Sequence, residues 1–380
     1  MSTKIKNITL VVLFSLFLFG LAFWSWMKPS DLFSESERRA LAEKPKFSLE
    51  TVFHTDSDKT FMSLFESYSL DQFPLRDLFR RVKSFASFYL FRNMDNNGIY
   101  VKNGYAAQLE YPINEDSLDY AAGKFKGIYN RFLRGKNTKI YTSVIPDKGY
   151  FLAERNGYLS MDYEQFFELF REKMDFAEYI DIKDVLALDD YYKTDTHWRQ
   201  EKISDVAQKI ANGMGITLSL TYTENVLNHP FYGVYYGQSA LPLPAEEIRY
   251  LTNDLLSECT VYDHQNGKEI SFYDMEKAVG KDPYEMYLSG NLSVVTIENP
   301  NASTDRELIV FRDSFGASLL PLLAEGYQKI TIVDIRYIPS ANLGALRDRR
   351  TGKVLIDFAN ADDVLFLYST LVLNNSSALK

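Results

Sequence analysis

Cysteine occurs once in the 380 residues, at Cys259, so no disulfide can close within the chain and no cysteine pair can hold a metal. Histidine is almost as scarce. His54, His197, His229 and His264 are scattered, without the H-E-x-x-H spacing, and no metal site is expected. There is no Walker or dinucleotide glycine loop, so no nucleotide cofactor is expected, and none of another kind is implied. Absence of G-x-S-x-G argues against the nucleophile elbow of an α/β-hydrolase. A net charge of −9 removes the positive field that would hold nucleic acid. Internal repeats and low-complexity tracts are also missing.

What the chain does have is apolar mass. Hydrophobic residues make up 46%, enough for a sizeable core in one large domain or two modest ones. Aromatics reach 15%, which suits strands and core and leaves some rings for sugars. The first 28 residues differ from the rest. Lys4 and Lys6 precede "ITLVVLFSLFLFGLAFWSWM", residues 8–27, which carry no charge. Twenty helical residues span about 30 Å, the thickness of a bilayer core. Trp24 and Trp26 suit a membrane interface and no A-x-A cleavage pattern follows, so an uncleaved anchor is expected. Its orientation is a tie by charge, because Lys28, Arg38 and Arg39 offset Lys4 and Lys6. The lone cysteine fits either side.

Residues 29–95 read as a tether and helical segment: a polar stretch punctuated by Pro29 and Pro45, then helical patterning over 60–94 interrupted at Pro74. From 96 to 380 strands and helices alternate. "NNGIY" turns into a strand, "TKIYTSVIP" (138–146) is a buried strand, and 164–178 has helical spacing. "ELIVF" (307–311), "KITIVDI" (329–335) and "VLFLYS" (364–369) are short strands separated by expected helices around 316–325 and 342–359. Such spacing predicts βαβ units and an α/β fold with a parallel central sheet flanked by helices. The Tyr-rich stretch 216–290 is expected to be an insertion or a cap.

The chemistry is carried by "DYYKTDTHWRQ" (190–200) and "IVFRDSFGAS" (309–318). In the second, a strand ends at Phe311 and a helix begins near Phe315. Ser314 is thereby placed on a turn at the carboxyl edge of the sheet, where open α/β sheets bind ligands. The backbone amides that follow, beginning at Phe315, are candidates for holding an oxyanion. Gly316 lets the backbone approach a substrate. A hydroxyl needs a base, and His197 is the natural one, with Asp195 to fix its tautomer. Helix capping by Asp313, Ser314, Asp195 or Thr196 is the competing account of each residue alone. "HTDSD" (54–58) also gathers His54, Asp56 and Ser57, but all three are local and read as a solvated turn. Asp189 and Asp190, adjacent on the chain, point to opposite faces and do not make a glycosidase pair.

At "YKTDTHW" and "RDSF" the chain resembles the SGNH-hydrolase-like polysaccharide O-acetyltransferases of the alginate type, and is closer still to the DHHW proteins of Gram-positive bacteria. "SERRALAEKPKF", "DQFPLRD", "VIPDKGYF", "FYGVYYGQSALP", "YLSGN" and "LYSTLVLN" follow in the expected order. The resemblance implies an SGNH-hydrolase-like domain and a triad of Ser314, His197 and Asp195, with the Asp–His pair preceding the nucleophile. It also implies that Gly290 and Asn291 take the place of the oxyanion-hole Gly and Asn. Here the motif reads DTHW, with Thr196 where the first histidine would stand, and Arg312 occupies a position often held by glycine.

By the same resemblance the catalytic domain is outside the cell, the N-terminus is cytoplasmic, and the chain crosses the cell membrane once. The implied partner is a membrane-bound O-acyltransferase that supplies acyl groups. The expected function is acetyl transfer through an acyl-serine to a cell-envelope or exported polysaccharide. Acetyl esterase action with the same triad, or a glycan-binding scaffold, remain the alternatives. Tyr235, Tyr236 and Trp198 are candidates for the wall that holds the glycan.

Overall fold

In a computed structural model, residues 3–54, 56, 59–219 and 221–380 are described. Met1 and Ser2 of the anchor, and Ser57 of the HTDSD stretch, lie outside the described residues. The chain divides into two compact units: Met1–Asn96 with Tyr236–Pro242, and Asn97–Tyr235 with Leu243–Lys380.

The first unit begins with helix α1, Thr3–Met27, none of it buried and with a mean hydropathy of 2.3 over its most apolar window. It is long and apolar enough to cross a membrane. Helix α2, Phe61–Asp71, is capped by Thr60, whose side chain accepts from the Ser63 N–H. Pro74 separates it from α3, Arg76–Phe85, which continues through a π turn at Ala86–Leu90. Gln72 joins α2 to the start of the tether, accepting from the Asp31 N–H and donating to the Asp31 carbonyl, both at 2.8 Å. Asp71 and Glu37 gather Arg39 and Arg76, with closest N–O distances of 2.5 Å in each case.

In the second unit eight strands form one mixed sheet. They are β1 Lys139–Ile145, β2 Glu178–Tyr179, β3 Thr260–Asp263, β4 Lys268–Ile270, β5 Val294–Glu298, β6 Glu307–Arg312, β7 Lys329–Val333 and β8 Asp363–Ser369. Their order is β4-β3-β5-β7-β6-β8-β1-β2. From β7 to β2 every pairing is parallel, as the strand–helix alternation predicted; β5, β3 and β4 extend the sheet antiparallel. Part of the stretch 216–290 therefore builds the sheet itself. A separate hairpin pairs Thr223–Val226 with Arg249–Thr252.

Along the central strands alternate residues enter different cores. Leu308, Val310, Leu365 and Leu367 pack with helix α4, Ser204–Gly213, and helix α5, Gly316–Leu323. Ile309, Phe311, Val364 and Phe366 pack with the helices Glu115–Ile128 and Tyr163–Lys173. A period of two with both faces apolar is what a sheet covered on both sides requires. The helix expected around 342–359 is only a 3₁₀ turn, Ser340–Ala345. The charged "RDRRTGK" beyond it has no apolar stripe to bury, and Gly352 turns there at φ +69°.

Candidate active site

Strand β6 ends at Arg312 and α5 begins at Gly316, which leaves Asp313, Ser314 and Phe315 to make the turn. Asp313 is fully buried and fastens the turn on two sides. Its Oδ1 accepts from the Phe315 N–H at 3.0 Å, and its Oδ2 accepts from the N–H and the hydroxyl of Ser369, each at 2.7 Å. Ser369 closes β8, the neighbour of β6, so the strand pairing fixes the turn. Arg312 is equally buried. It donates to the carbonyls of Asp313 (3.2 Å) and Gly290 (3.3 Å), and Asp334 lies 3.8 Å away. Burial lowers the pKa of its guanidinium. Its stem lies against α5: a Cβ on Gly316 would come within 2.9 Å of the Arg312 Cβ, so the close approach there needs glycine at 316.

His197 and Ser314, 117 residues apart, meet here. His197 Nε2 lies 2.8 Å from Ser314 Oγ, and Nδ1 lies 2.6 Å from Asp195 Oδ1. Asp195 Oδ1 also accepts from the His197 N–H at 3.1 Å, and Oδ2 accepts from the Val234 N–H at 2.8 Å. Asp195 is 1% exposed, whereas Ser314 is only partly covered. With a buried carboxylate on Nδ1 the imidazole carries its proton there, leaving Nε2 to accept from the serine.

The loop bearing Asp195 is held at several points. Glu246 accepts from the N–H groups of Lys193 and Thr194 and from the Thr194 hydroxyl, all at 2.7 Å. Lys148, 2% exposed, donates to the carbonyls of Tyr192 (2.9 Å) and Lys193 (3.2 Å), with its ammonium 4.9 Å from the Tyr235 ring centroid. Burial pulls its pKa down to about 7, against the opposing pull of Asp195, Glu246 and Asp147. A Cβ built on Gly233 would fall on the backbone and Cβ of Asp195, so only glycine lets residues 233–234 come close enough to donate.

Two aromatic rings pack against the imidazole. The Tyr284 ring stacks on it at 3.8 Å and 6°, and Phe315 leans on it at 4.9 Å. Tyr284 shares a 2.8 Å hydrogen bond with Ser318 Oγ, which also accepts from the Trp198 indole N–H at 2.9 Å. Burial holds the Tyr284 phenol far above its ordinary pKa, so the hydroxyl keeps its proton. Beneath this lies fully buried Gln200, which donates to the Ser318 carbonyl and accepts from the Leu251 N–H, both at 2.8 Å. Replacing Gln200 by Ala is expected to lower stability by about 2 kcal/mol, or roughly 4–8 °C in melting temperature, read by calorimetry.

The remaining expected residues take other places. The Phe315 N–H is consumed by Asp313, and the N–H groups of Gly316 and Ala317 by the carbonyls of Asp313 and Ser314, so these amides do not face an oxyanion. The Ser314 N–H has no acceptor among the described residues. Gly290 follows Leu288 and Ser289 in a run of left-handed residues at φ +50°, +54° and +79°. Such strain costs about 1–3 kcal/mol per non-glycine residue and gathers at functional sites. The Asn291 amide donates to Glu285 at 3.3 Å.

Trp198 and Tyr235 are 0% and 4% exposed, so neither can wall a glycan: the indole is locked onto Phe315 and Ser318, and the Tyr235 ring covers Lys148. Tyr236 is half-buried and belongs to the first unit. Thr196 accepts from the Tyr235 hydroxyl at 3.3 Å. Tyr284 was not singled out in the sequence. Its only signal there is the neighbouring "YLSGN", since stacking between residues 87 positions apart leaves no local pattern.

No family model matches the chain, and no curated protein matches it. Among solved structures it is similar to a DHHW family protein from Eubacterium siraeum, with a TM-score of 0.60, 19% identity, 75% of this chain and 94% of that one covered. It is also similar to Bacillus cereus PatB1 carrying a sulfonyl adduct, with a TM-score of 0.56, 21% identity, and coverage of 72% and 95%. A second PatB1 structure gives 0.54, 20%, 73% and 97%. The chain therefore shares the fold of a DHHW family protein and of PatB1, the resemblance expected from DTHW and RDSF.

Proposed function

We propose that this chain is an O-acyltransferase that loads an acetyl group onto Ser314 and passes it to a hydroxyl of a cell-envelope or exported polysaccharide. The observation that carries this reading is the continuous relay Asp195–His197–Ser314, with links of 2.6 and 2.8 Å. In the loading step His197 Nε2 takes the Ser314 proton as Oγ bonds to the acetyl carbonyl carbon. The carbonyl oxygen becomes the oxyanion, facing the Ser314 N–H. Collapse breaks the bond to the leaving group, which accepts the proton from His197. In the second half the imidazole takes a proton from the acceptor hydroxyl. The new ester forms as the Ser314–acetyl bond breaks, and the proton returns to Ser314. Asp195 steadies the imidazolium in both halves.

The acyl donor in this proposal is a membrane-bound O-acyltransferase, because a domain outside the cell has no acetyl-coenzyme A. The N-terminus is accordingly cytoplasmic and the second unit extracytoplasmic. Incubating the purified protein with an activated acetyl ester, with and without oligosaccharide, tests the acceptor. Acetylated sugar supports the transferase, and acetate release indifferent to the sugar supports an esterase. PatB1 is described with a sulfonyl adduct, and a sulfonyl fluoride offers an independent probe: mass spectrometry should find the adduct on Ser314.

Tyr284 is proposed to position the base. Tyr284→Phe keeps the stack and should retain activity within about threefold. Tyr284→Ala uncovers one imidazole face and should lower kcat about tenfold with little change in KM, measured by initial rates of ester turnover.

A further inference from the structure

Helix α3 is amphipathic in the inverted sense. Its polar side faces inward: Arg80 donates to the Gly237 carbonyl at 2.8 Å and Ser84 to the Ser239 carbonyl at 2.6 Å, and Ser84 is fully buried. Its apolar side faces out. Leu75, Leu78, Phe79, Val82, Phe85 and Tyr89 recur at three- and four-residue steps and are 40–65% exposed. They make one stripe along the helix and its π turn. A soluble helix buries such a stripe, and a contiguous exposed one marks an interaction surface.

The position of the stripe selects its occupant. Gln72 ties the end of α2 to Asp31, four residues beyond the last residue of α1, and the Ser30 and Tyr68 hydroxyls lie 3.3 Å apart. The stripe starts three residues after that clamp. It is thus held where α1 ends, within the same compact unit. Exposed Arg81 and Lys83 flank it, and exposed Arg92 follows it, cations matched to anionic phospholipid headgroups. Asp77, also on the flank, is within ion-pair distance of Arg76 and Arg80.

We infer that this face lies in the headgroup–acyl boundary of the bilayer that α1 crosses, as a second, in-plane membrane contact. The inference rests on reading α1 as a spanning helix and is independent of the acyl-transfer chemistry. The contact would hold the first unit down on the membrane surface.

The test uses the full chain with Cys259→Ser and single cysteines at Leu16, Val82, Phe85 or Val226. Each is labelled with an environment-sensitive fluorophore and reconstituted in phosphatidylethanolamine–phosphatidylglycerol vesicles containing doxyl-lipid quenchers. Each labelled protein is first checked for the parent's melting temperature. Quenching at Val82 and Phe85 at least twice that at Val226 is the expected result. Quenching at Leu16 alone overturns the inference, since the stripe must then be covered by a protein or a second copy rather than by lipid. Quenching at Val82 and Phe85 without Leu16 overturns the inference as stated, because the stripe then touches a bilayer that α1 does not cross. Quenching at none of them overturns the surface contact and the spanning reading of α1 alike. Sulfonyl labelling of Ser314 in the same samples reports separately on the acyl-transfer reading.

Discussion

A Ser314→Ala protein is expected to melt within about 1 °C of the parent and to lose ester turnover by about 10⁴-fold or more. The stability half follows from what the hydroxyl touches. Its one hydrogen bond among the described residues is to His197 Nε2, on a partly exposed turn, and the turn's own fastening belongs to Asp313. The activity half follows from the chemistry, since Ser314 Oγ is the hydroxyl that hydrogen-bonds the imidazole Nε2. The variant should also take up no sulfonyl group. Unchanged turnover in a properly folded Ser314→Ala protein would remove the acyl-serine from the proposal. Retained acetylation of the envelope polymer in cells carrying only this variant would favour the scaffold reading.

Gly233→Ala should be nearly as damaging, although residue 233 touches no substrate. An added methyl group has nowhere to go but onto Asp195, so the loop 231–235 or the Asp195 loop must shift. Either movement breaks the Val234 N–H bond to Asp195 Oδ2 and the Gly233 N–H bond to the Thr194 hydroxyl, 2.8 and 3.0 Å in the parent. Displacing a positioned catalytic group by about 1 Å costs on the order of a hundredfold. Turnover is therefore expected to fall about a hundredfold, in kcat more than in KM, with a modest loss of melting temperature. Fold-independent support comes from NMR: the low-field resonance of the His197 Nδ1 proton should shift or broaden in the variant. An unaltered rate would mean that the two loops are slack enough to part without disturbing the relay.

The sequence made some of this legible and hid the rest for definite reasons. Strands β6, β7 and β8 are short apolar runs bounded by turns, and periodicity finds such runs wherever both faces are buried. The antiparallel extension through β3 and β4 is harder to see, because "TVYD" and "KEI" are brief and partly polar edge strands. The Asp195–His197 spacing and the Asp-Ser turn after a strand pointed to the three residues of the relay. The Phe315 N–H, expected to face an oxyanion, donates to Asp313 instead, a capping bond that residue type and spacing do not reveal. Trp198 and Tyr235 looked like sugar-binding rings by type alone. Only the three-dimensional contacts reveal that one holds the turn and the other shelters a lysine.

Ser369, at the end of β8, grips Asp313. The nucleophile's turn therefore cannot be set until the final strand has docked between β1 and β6. A nascent chain carries the base, its carboxylate and the serine long before that moment, yet holds them out of register. A chain cut between residues 314 and 369 would keep every reacting group and lose the grip of Ser369 on Asp313.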